Sequence, residues 1–439
     1  MKTRLPKVML PLAGKPMIDY VLEAARSVGS QKQVVVSRPD CPELQEFLKQ
    51  KNRVANVIQP KPMGTGDAVR RCEKIVGKHS DYTLILCGDT PLLQKENLKE
   101  FVEEVMSQRA TLGLLTTEME CPNGYGRVVR NGSGEVLRIV EEKETSKEEK
   151  QIQEINTGIY CVKTPWLFQR LKNLKKHPTG EYYLTDLLEM ASQENVPMFA
   201  VPKANPKEYL GVNTQRELAW ADRLLREKII LKWMEAGVRF IDPNVVYIDA
   251  GVTLAPDVVV YPQVYLLGDT KVGAGSVLET GAWIQNCVLG ENVHVKPYSV
   301  MESSILKRNV QVGPFARLRP ETRLEENVRV GNFVEIKKSH LKKGVKANHL
   351  SYLGDAVIGE GSNIGCGTIT CNYDGVKKHK TVIGKNVFVG SDVQLVAPVR
   401  IGDNSVIAAG SPITENVPSG TLALARARQV NKKNWKRKK

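Results

Sequence analysis

In the C-terminal half of this chain, aliphatic side chains return at every sixth residue: Ile383, Val389, Leu395, Ile401, Ile407 and Ile413. Small residues follow several of them, at Gly384, Gly390, Gly402 and Ala408. The same step joins Val272 to Leu278, Leu289 to Val295 and Ile358 to Ile364. A period of six fits neither the turn of an α-helix nor the alternation of a simple hairpin strand. It predicts a β-helix, in which three short strands make a coil and stacked aliphatics fill the axis. The rhythm begins near residue 237 and breaks over residues 339–347 and 373–380. Such breaks predict loops on one face of the solenoid, often the binding face.

The N-terminal half has another period. Strands at 33–37, 54–59 and 82–89 alternate with amphipathic helices at 43–50 and 67–76. That alternation predicts an α/β, Rossmann-like layer with a mostly parallel sheet and helices on both faces. Residues 216–236 lack Gly and Pro, and Leu218, Ala221, Leu225 and Ile229 form one stripe at helical spacing. The expected organisation is an α/β domain over 1–215, a linking helix over 216–236 and the β-helix over 237–439.

Composition narrows the functional classes. No apolar run approaches the length of a membrane span, and the N-terminus lacks the apolar core of a signal peptide, so a cytoplasmic enzyme is expected. The eight cysteines include no C-x-x-C pair, and Cys87 and Cys161 stand inside apolar runs. Free thiols in a reducing compartment fit this pattern better than a zinc site. Of the net charge of +15, six positive charges lie in the last nine residues, NKKNWKRKK. With no aromatic-basic platform beside it, that run reads as a solvated terminus rather than a nucleic-acid arm. The remaining excess suits anionic substrates such as phosphates and coenzyme A.

Three runs carry more specific information: GPFARLRP at 313–320, VGNFVEIKKSHLKKGVKANHLSYLGDA at 330–356 and NIGCGTITCNYDG at 363–375. Together they closely resemble the bifunctional N-acetylglucosamine-1-phosphate uridyltransferase/glucosamine-1-phosphate N-acetyltransferase (GlmU) family of bacterial cell-wall synthesis, and the resemblance runs over essentially the whole chain. It implies a left-handed parallel β-helix that acetylates glucosamine 1-phosphate from acetyl-CoA, with sites between the subunits of a homotrimer. The implied base is His349, which would take a proton from the amine; acetyl transfer from a thioester needs no metal. By the same resemblance Arg319 and Lys337 hold the sugar phosphate, as cations of fixed geometry can. Tyr352 and Asn363 hold the sugar, and Cys366, Asn372, Tyr373, Ser391, Ala409 and Arg426 hold acetyl-CoA. Many relatives carry Ala at the position of Cys366, which fits contact through the backbone and no nucleophilic role. Backbone N–H groups of adjacent coils are candidate oxyanion donors.

In the N-terminal half, Leu5-Pro6-Lys7 and the run PLAGKPM at 11–17 look like the signature of sugar-phosphate nucleotidyltransferases. The resemblance implies Lys7 on the nucleotide phosphates, with Gln59, Gly64 and Thr65 reading the uracil of UTP. Cys87-Gly88-Asp89 ends a buried strand, where ligands of α/β sheets bind. Asp89 with Asn213 is the implied Mg²⁺ pair, and Gly126, Glu141 and Asn156 would hold the sugar. Relatives place a first strand and a glycine-rich loop, of the type L-A-A-G-x-G-T-R, before the position of Met1. Two expectations follow: translation starts further upstream, or the chain acetylates normally and transfers uridylyl groups poorly. A related enzyme for another base or sugar is the nearest alternative. A scaffold akin to certain translation-factor subunits is the remote one, since a scaffold has no use for a base flanked by phosphate binders.

Overall fold

The computed structural model describes residues 1–77 and 80–436, and the last three residues of the basic run lie outside the described residues. The chain divides into two compact units, Met1–Leu225 and Arg226–Lys439. The division falls inside a single helix, Gln215–Glu235.

In the first unit, Gln33–Ser37 and Val54–Ile58 pair in parallel. A second sheet runs in the order Met198–Lys203, Leu112–Glu118, Glu154–Lys163, Arg127–Arg130, Val136–Val140, with Tyr82–Ile85 also on Glu154–Lys163. Here the expectation of a mostly parallel sheet needs correcting. Met198–Lys203 is parallel to Leu112–Glu118, but Glu154–Lys163 is antiparallel to all its neighbours. The reason is a hairpin, Arg127–Arg130 with Val136–Val140, which interrupts the strand–helix alternation and sends the chain back antiparallel. Helices cover the sheets as their patterns require. Lys95–Ser107 buries Leu98, Phe101 and Val105, spaced three and four apart, in one cluster with Leu115 and Ile159. Each such side chain contributes about 1.5–3 kcal/mol. The helix expected at 67–76 is two pieces, Thr65–Arg70 and Glu73–Val76, restarting where the Cys72 carbonyl accepts from Ile75 and Val76. The strand expected at 82–89 ends at Ile85, which frees residues 87–89 as a loop.

The second unit is a parallel β-helix. Its strands are mostly two or three residues long, and most of the two-residue strands turn one side chain inward. Leu254 pairs with Val272, Val272 with Leu289 and Leu289 with Leu306, steps of 18, 17 and 17 residues per coil. The inward side chains form one continuous core from Val238 to Val417. Of the two expected breaks, only 373–380 leaves the coil: Ile358 pairs with Ile383, 25 residues on. Residues 339–347 stay in register, because Leu341 stacks between Leu324 and Ile358 despite a shortened step.

Candidate active sites

In the first unit the loop after Tyr82–Ile85 presents Asp89. Lys7 Nζ donates to Asp89 Oδ2 at 2.5 Å and to Asn213 Oδ1 at 2.7 Å. Asn213 is fixed by a capping box that starts Gln215–Glu235. The Glu217 carboxylate accepts from the N–H groups of Asn213 and Thr214 at 2.6 and 2.9 Å, and Thr214 Oγ1 accepts from Glu217 N at 3.2 Å. An ammonium resting between two oxygens shows that a small cation fits there. One carboxylate and one amide oxygen suit Mg²⁺, which takes few protein ligands and completes its shell with waters and phosphates. Among the described residues no group of three or more His, Cys, Asp or Glu is arranged to hold a metal.

The other residues implied here form two linked strings. Cys87 Sγ faces the Gly158 carbonyl at 3.8 Å, Gly158 N donates to Asn156 Oδ1 at 2.9 Å, and Asn156 N donates to the Gly126 carbonyl at 2.9 Å. Burial pushes the Cys87 thiol up to about 12, which keeps it protonated at neutral pH. Gly88 adjoins Ile18 and Val8. The second string runs through residues 182–185, which the sequence reading missed. Tyr182 N donates to the Met63 carbonyl at 2.8 Å and Gly66 N to the Tyr182 carbonyl at 2.9 Å. Leu184 N donates to Thr65 Oγ1 at 3.1 Å, and Thr185 Oγ1 to Glu141 Oε1 at 3.1 Å. Gly64 has φ +91°, and a Cβ there would stand 2.5 Å from the Tyr182 carbonyl, so only glycine fits. Burial raises the Glu141 carboxyl, helped by Glu144, Asp186 and Glu181 and opposed by Thr185. A signal for the missed segment was present in the polar pair Thr185-Asp186 opening an amphipathic helix.

In the β-helix the register creates one corner column. Val330, Ala347, Ile364, Val389 and Ile407 stack in successive coils, so the residues two places further on, Asn332, His349, Cys366, Ser391 and Ala409, follow one another along that corner. His349 Nδ1 lies 3.2 Å from Asn332 Oδ1. This contact fixes the ring's orientation, and a proton on Nδ1 would leave the Nε2 lone pair for an incoming amine. The Arg426 chain extends over Gly410, next to Ala409. Backbone N–H groups of Gly367, Asp392 and Gly410 donate to the carbonyls of Leu350, Cys366 and Ser391 at 2.7, 2.7 and 2.8 Å. These donors already have partners, so an oxyanion must find others.

A second cluster lies at the far end of Arg329–Lys337, where Lys337 pairs with Gly354 and follows Arg319 in register. The Lys378 ammonium, and then Arg319, push the Lys337 ammonium below the ordinary lysine value. Arg319 pairs with Glu335 at 2.9 Å. The Tyr352 hydroxyl and the Asn372 amide both crowd Gly354, and Asn372 Nδ2 donates to Asp355 Oδ2 at 2.6 Å. Lys378, unforeseen in the sequence, sits in the 373–380 excursion. Asp374 shapes that loop by accepting from the N–H groups of Val376 and Lys377 at 2.8 and 2.6 Å and by pairing with His379 at 2.6 Å. Tyr373 is exposed, its hydroxyl on the Gly375 carbonyl at 2.6 Å. Asn363 stands apart, paired between Lys346 and Phe388. The structure therefore gathers Arg319, Lys337, Tyr352 and Asn372, and separately His349, Cys366, Ser391 and Ala409. Asn332, beside His349, and Lys337 are five residues apart on Arg329–Lys337, on either side of the corner that Phe333 makes with its φ of +56°.

Comparison with known proteins agrees with this two-part layout. Residues 2–235 match the nucleotidyl transferase family, residues 266–336 the GlmU-like C-terminal hexapeptide and residues 380–414 the bacterial transferase hexapeptide of six repeats. The bifunctional protein GlmU of Pelobacter propionicus is 47% identical over 437 residues, which cover 99% of this chain and 95% of that protein. Those of Geotalea uraniireducens and Geotalea daltonii are 46% and 47% identical, each over 100% of this chain and 96% of the relative. With hexapeptide repeats matched over 266–336 and 380–414 of its parallel coils, the second unit has the left-handed parallel β-helix fold. The chain belongs to the bifunctional GlmU family.

Proposed function

We propose that this chain makes UDP-N-acetylglucosamine in two steps, acetylating glucosamine 1-phosphate in the β-helix and transferring a uridylyl group from UTP in the N-terminal unit. The observation that carries the reading is the corner that sets His349 in line with Cys366, Ser391 and Ala409, with the Arg319–Lys337–Lys378 cation cluster at the other end of the same strand pair. The cations hold the sugar phosphate and orient the amine toward the corner. Acetyl-CoA lies along Cys366, Ser391, Ala409 and Arg426, with Asn372 and Tyr373 completing its site. His349 takes a proton as the amine attacks the thioester carbonyl, a C–N bond forms, and the C–S bond breaks to release coenzyme A. The separation of the two clusters within one chain favours a homotrimer, in which a neighbour's wall closes the cleft. Tyr352 and Asn363 are assigned to the sugar.

In the uridylyltransferase domain, assigned to 1–215, Lys7 neutralises phosphate charge. Gln59, Gly64 and Thr65 hold the uracil beside Cys87 and Gly88, and Gly126, Glu141 and Asn156 hold the acetylated sugar. Asp89 and Asn213 would hold Mg²⁺, which when bound supplies charge stabilisation at the phosphates. The helix over 216–236 links this unit to the acetyltransferase over 237–439.

The reading is tested with purified protein. Acetyl-CoA with glucosamine 1-phosphate should release free thiol, and UTP with N-acetylglucosamine 1-phosphate should release pyrophosphate. Failure of either assay removes that half. Two variants sharpen it. Asp89→Asn keeps one oxygen but loses the charge, and should lower uridylyl transfer about tenfold to a hundredfold at fixed Mg²⁺. Acetyl transfer should stay the same, and an unchanged Mg²⁺ titration of uridylyl transfer would refute the assignment. Lys378→Ala should raise the KM for glucosamine 1-phosphate roughly tenfold, the order of one charged hydrogen bond, and leave the KM for acetyl-CoA alone. Equal increases in both constants would speak for loop damage instead.

A further inference from the structure

Gln59 is held in one orientation. Its Nε2 donates to Asp67 Oδ2 at 2.9 Å and to the Gly64 carbonyl at 3.1 Å. Both partners only accept, so the amino group must face them, and the carbonyl oxygen must face away. Among the described residues nothing donates to Gln59 Oε1. Asp67 itself has little freedom: it is 1% exposed and is gripped by Arg70 Nη2 on Oδ1 at 2.7 Å and by Arg71 Nε on Oδ2 at 2.8 Å. Burial pushes its carboxyl up, but the hydrogen bonds from Gln59, Arg71 and Arg70 outweigh burial and hold it below the ordinary carboxylate range. Asp67 is therefore an ionised acceptor at neutral pH, anchored from two sides.

We propose that Asp67 is a positioning residue that fixes nucleobase selectivity, because by holding the Gln59 amino group it presents Gln59 Oε1, an acceptor, to the incoming base. This rests on the reading of Gln59 as part of the nucleotide site. An acceptor there pairs with a ring N–H, which uracil carries at N3 and cytosine lacks, since cytosine N3 is itself an acceptor. A freely turning glutamine would offer its amino group to cytosine equally well. Discrimination then lies less in Gln59 than in the buried carboxylate that, together with the Gly64 carbonyl, forbids its rotation, two positions past Thr65 on the helix Thr65–Arg70.

The test compares UTP with CTP, by calorimetric binding in the presence of Mg²⁺ and by pyrophosphate release. Asp67→Leu removes the acceptor and should lower the UTP-over-CTP ratio about tenfold to a hundredfold, the range set by mispairing one buried polar group. Asp67→Asn can still turn a carbonyl toward Gln59 and Arg71, and should recover most of the preference. Should Asp67→Leu fail to fold, Asp67→Ser, too short to reach Gln59, gives the same reading. In a Gln59→Met background, Asp67→Leu should change the ratio no further. A wild type that prefers UTP and an Asp67→Leu variant that prefers it as strongly would overturn the proposal and leave the uridylyl assignment standing. A wild type that binds neither nucleotide would overturn both.

Discussion

Replacing His349 with alanine is expected to lower the turnover of acetyl transfer by about 10²–10⁴-fold, the span typical of a lost general base. The KM values for glucosamine 1-phosphate and acetyl-CoA should move little, because the phosphate anchors Arg319, Lys337 and Lys378 lie at the other end of the strand pair. Pyrophosphate release in the N-terminal unit should be untouched. Asn332 contributes by orientation: with its Oδ1 against Nδ1, a ring protonated at Nδ1 would turn Nε2 to the amine as the nitrogen that accepts a proton. Asn332→Leu removes that tie and should reproduce part of the loss with the ring still present. Steady-state kinetics at several pH values separates the roles, since a base must leave a titration in the wild-type profile that the alanine variant lacks. Unchanged turnover, or an unchanged profile, would reject His349 as the base.

Much of this molecule was legible in the sequence because the β-helix writes its geometry locally. Inward aliphatics on nearly every strand and a near-constant coil length give a six-residue period, and Ile383, Ile401 and their neighbours stack as that period requires. The small residues after the aliphatics were legible as a pattern and are now explained, because the corner backbone there packs against the next coil, as at Gly365 and Gly390. The rhythm misled over 339–347, where the step shortens but Leu341 still reaches the axis. The mixed sheet was harder. Nothing local in Glu154–Lys163 says which direction it runs, since that depends on the hairpin before it. Site residues divide in the same way. His349, Asp89 and Asn213 stand in runs distinctive enough to be singled out, whereas Lys378 is one lysine among many, and it becomes meaningful only when its loop delivers it to Lys337. Thr185 and Asp67 are likewise ordinary until Glu141 and Gln59 are seen to depend on them.

Gly331→Ala should be the most disruptive small change in the second unit. Gly331 sits between Val330, whose side chain is in the core, and Asn332, the partner of His349. A Cβ at this position would lie 1.8 Å from the Asn348 carbonyl oxygen and 2.5 Å from its carbonyl carbon. Those atoms belong to the next coil's backbone, so no side-chain rotation relieves the clash, and the coils themselves must part. Overpacking a tight interior costs about 1–3 kcal/mol, and a backbone neighbour puts this case at the upper end. For a unit of this size about 3 kcal/mol corresponds to a fall in Tm of roughly 6–12 °C. The catalytic consequence is larger than the thermal one, because the displaced atoms adjoin residue 349. A shift of about 1 Å at a reacting group lowers the rate on the order of a hundredfold, so acetyl transfer should drop by that factor in protein that is still folded at assay temperature. Calorimetry with acetyl-transfer kinetics on the same sample checks both parts. A Tm within about 1 °C of the wild type together with full activity would mean the corner yields freely, and the rigid column that aims His349 would then have no physical basis.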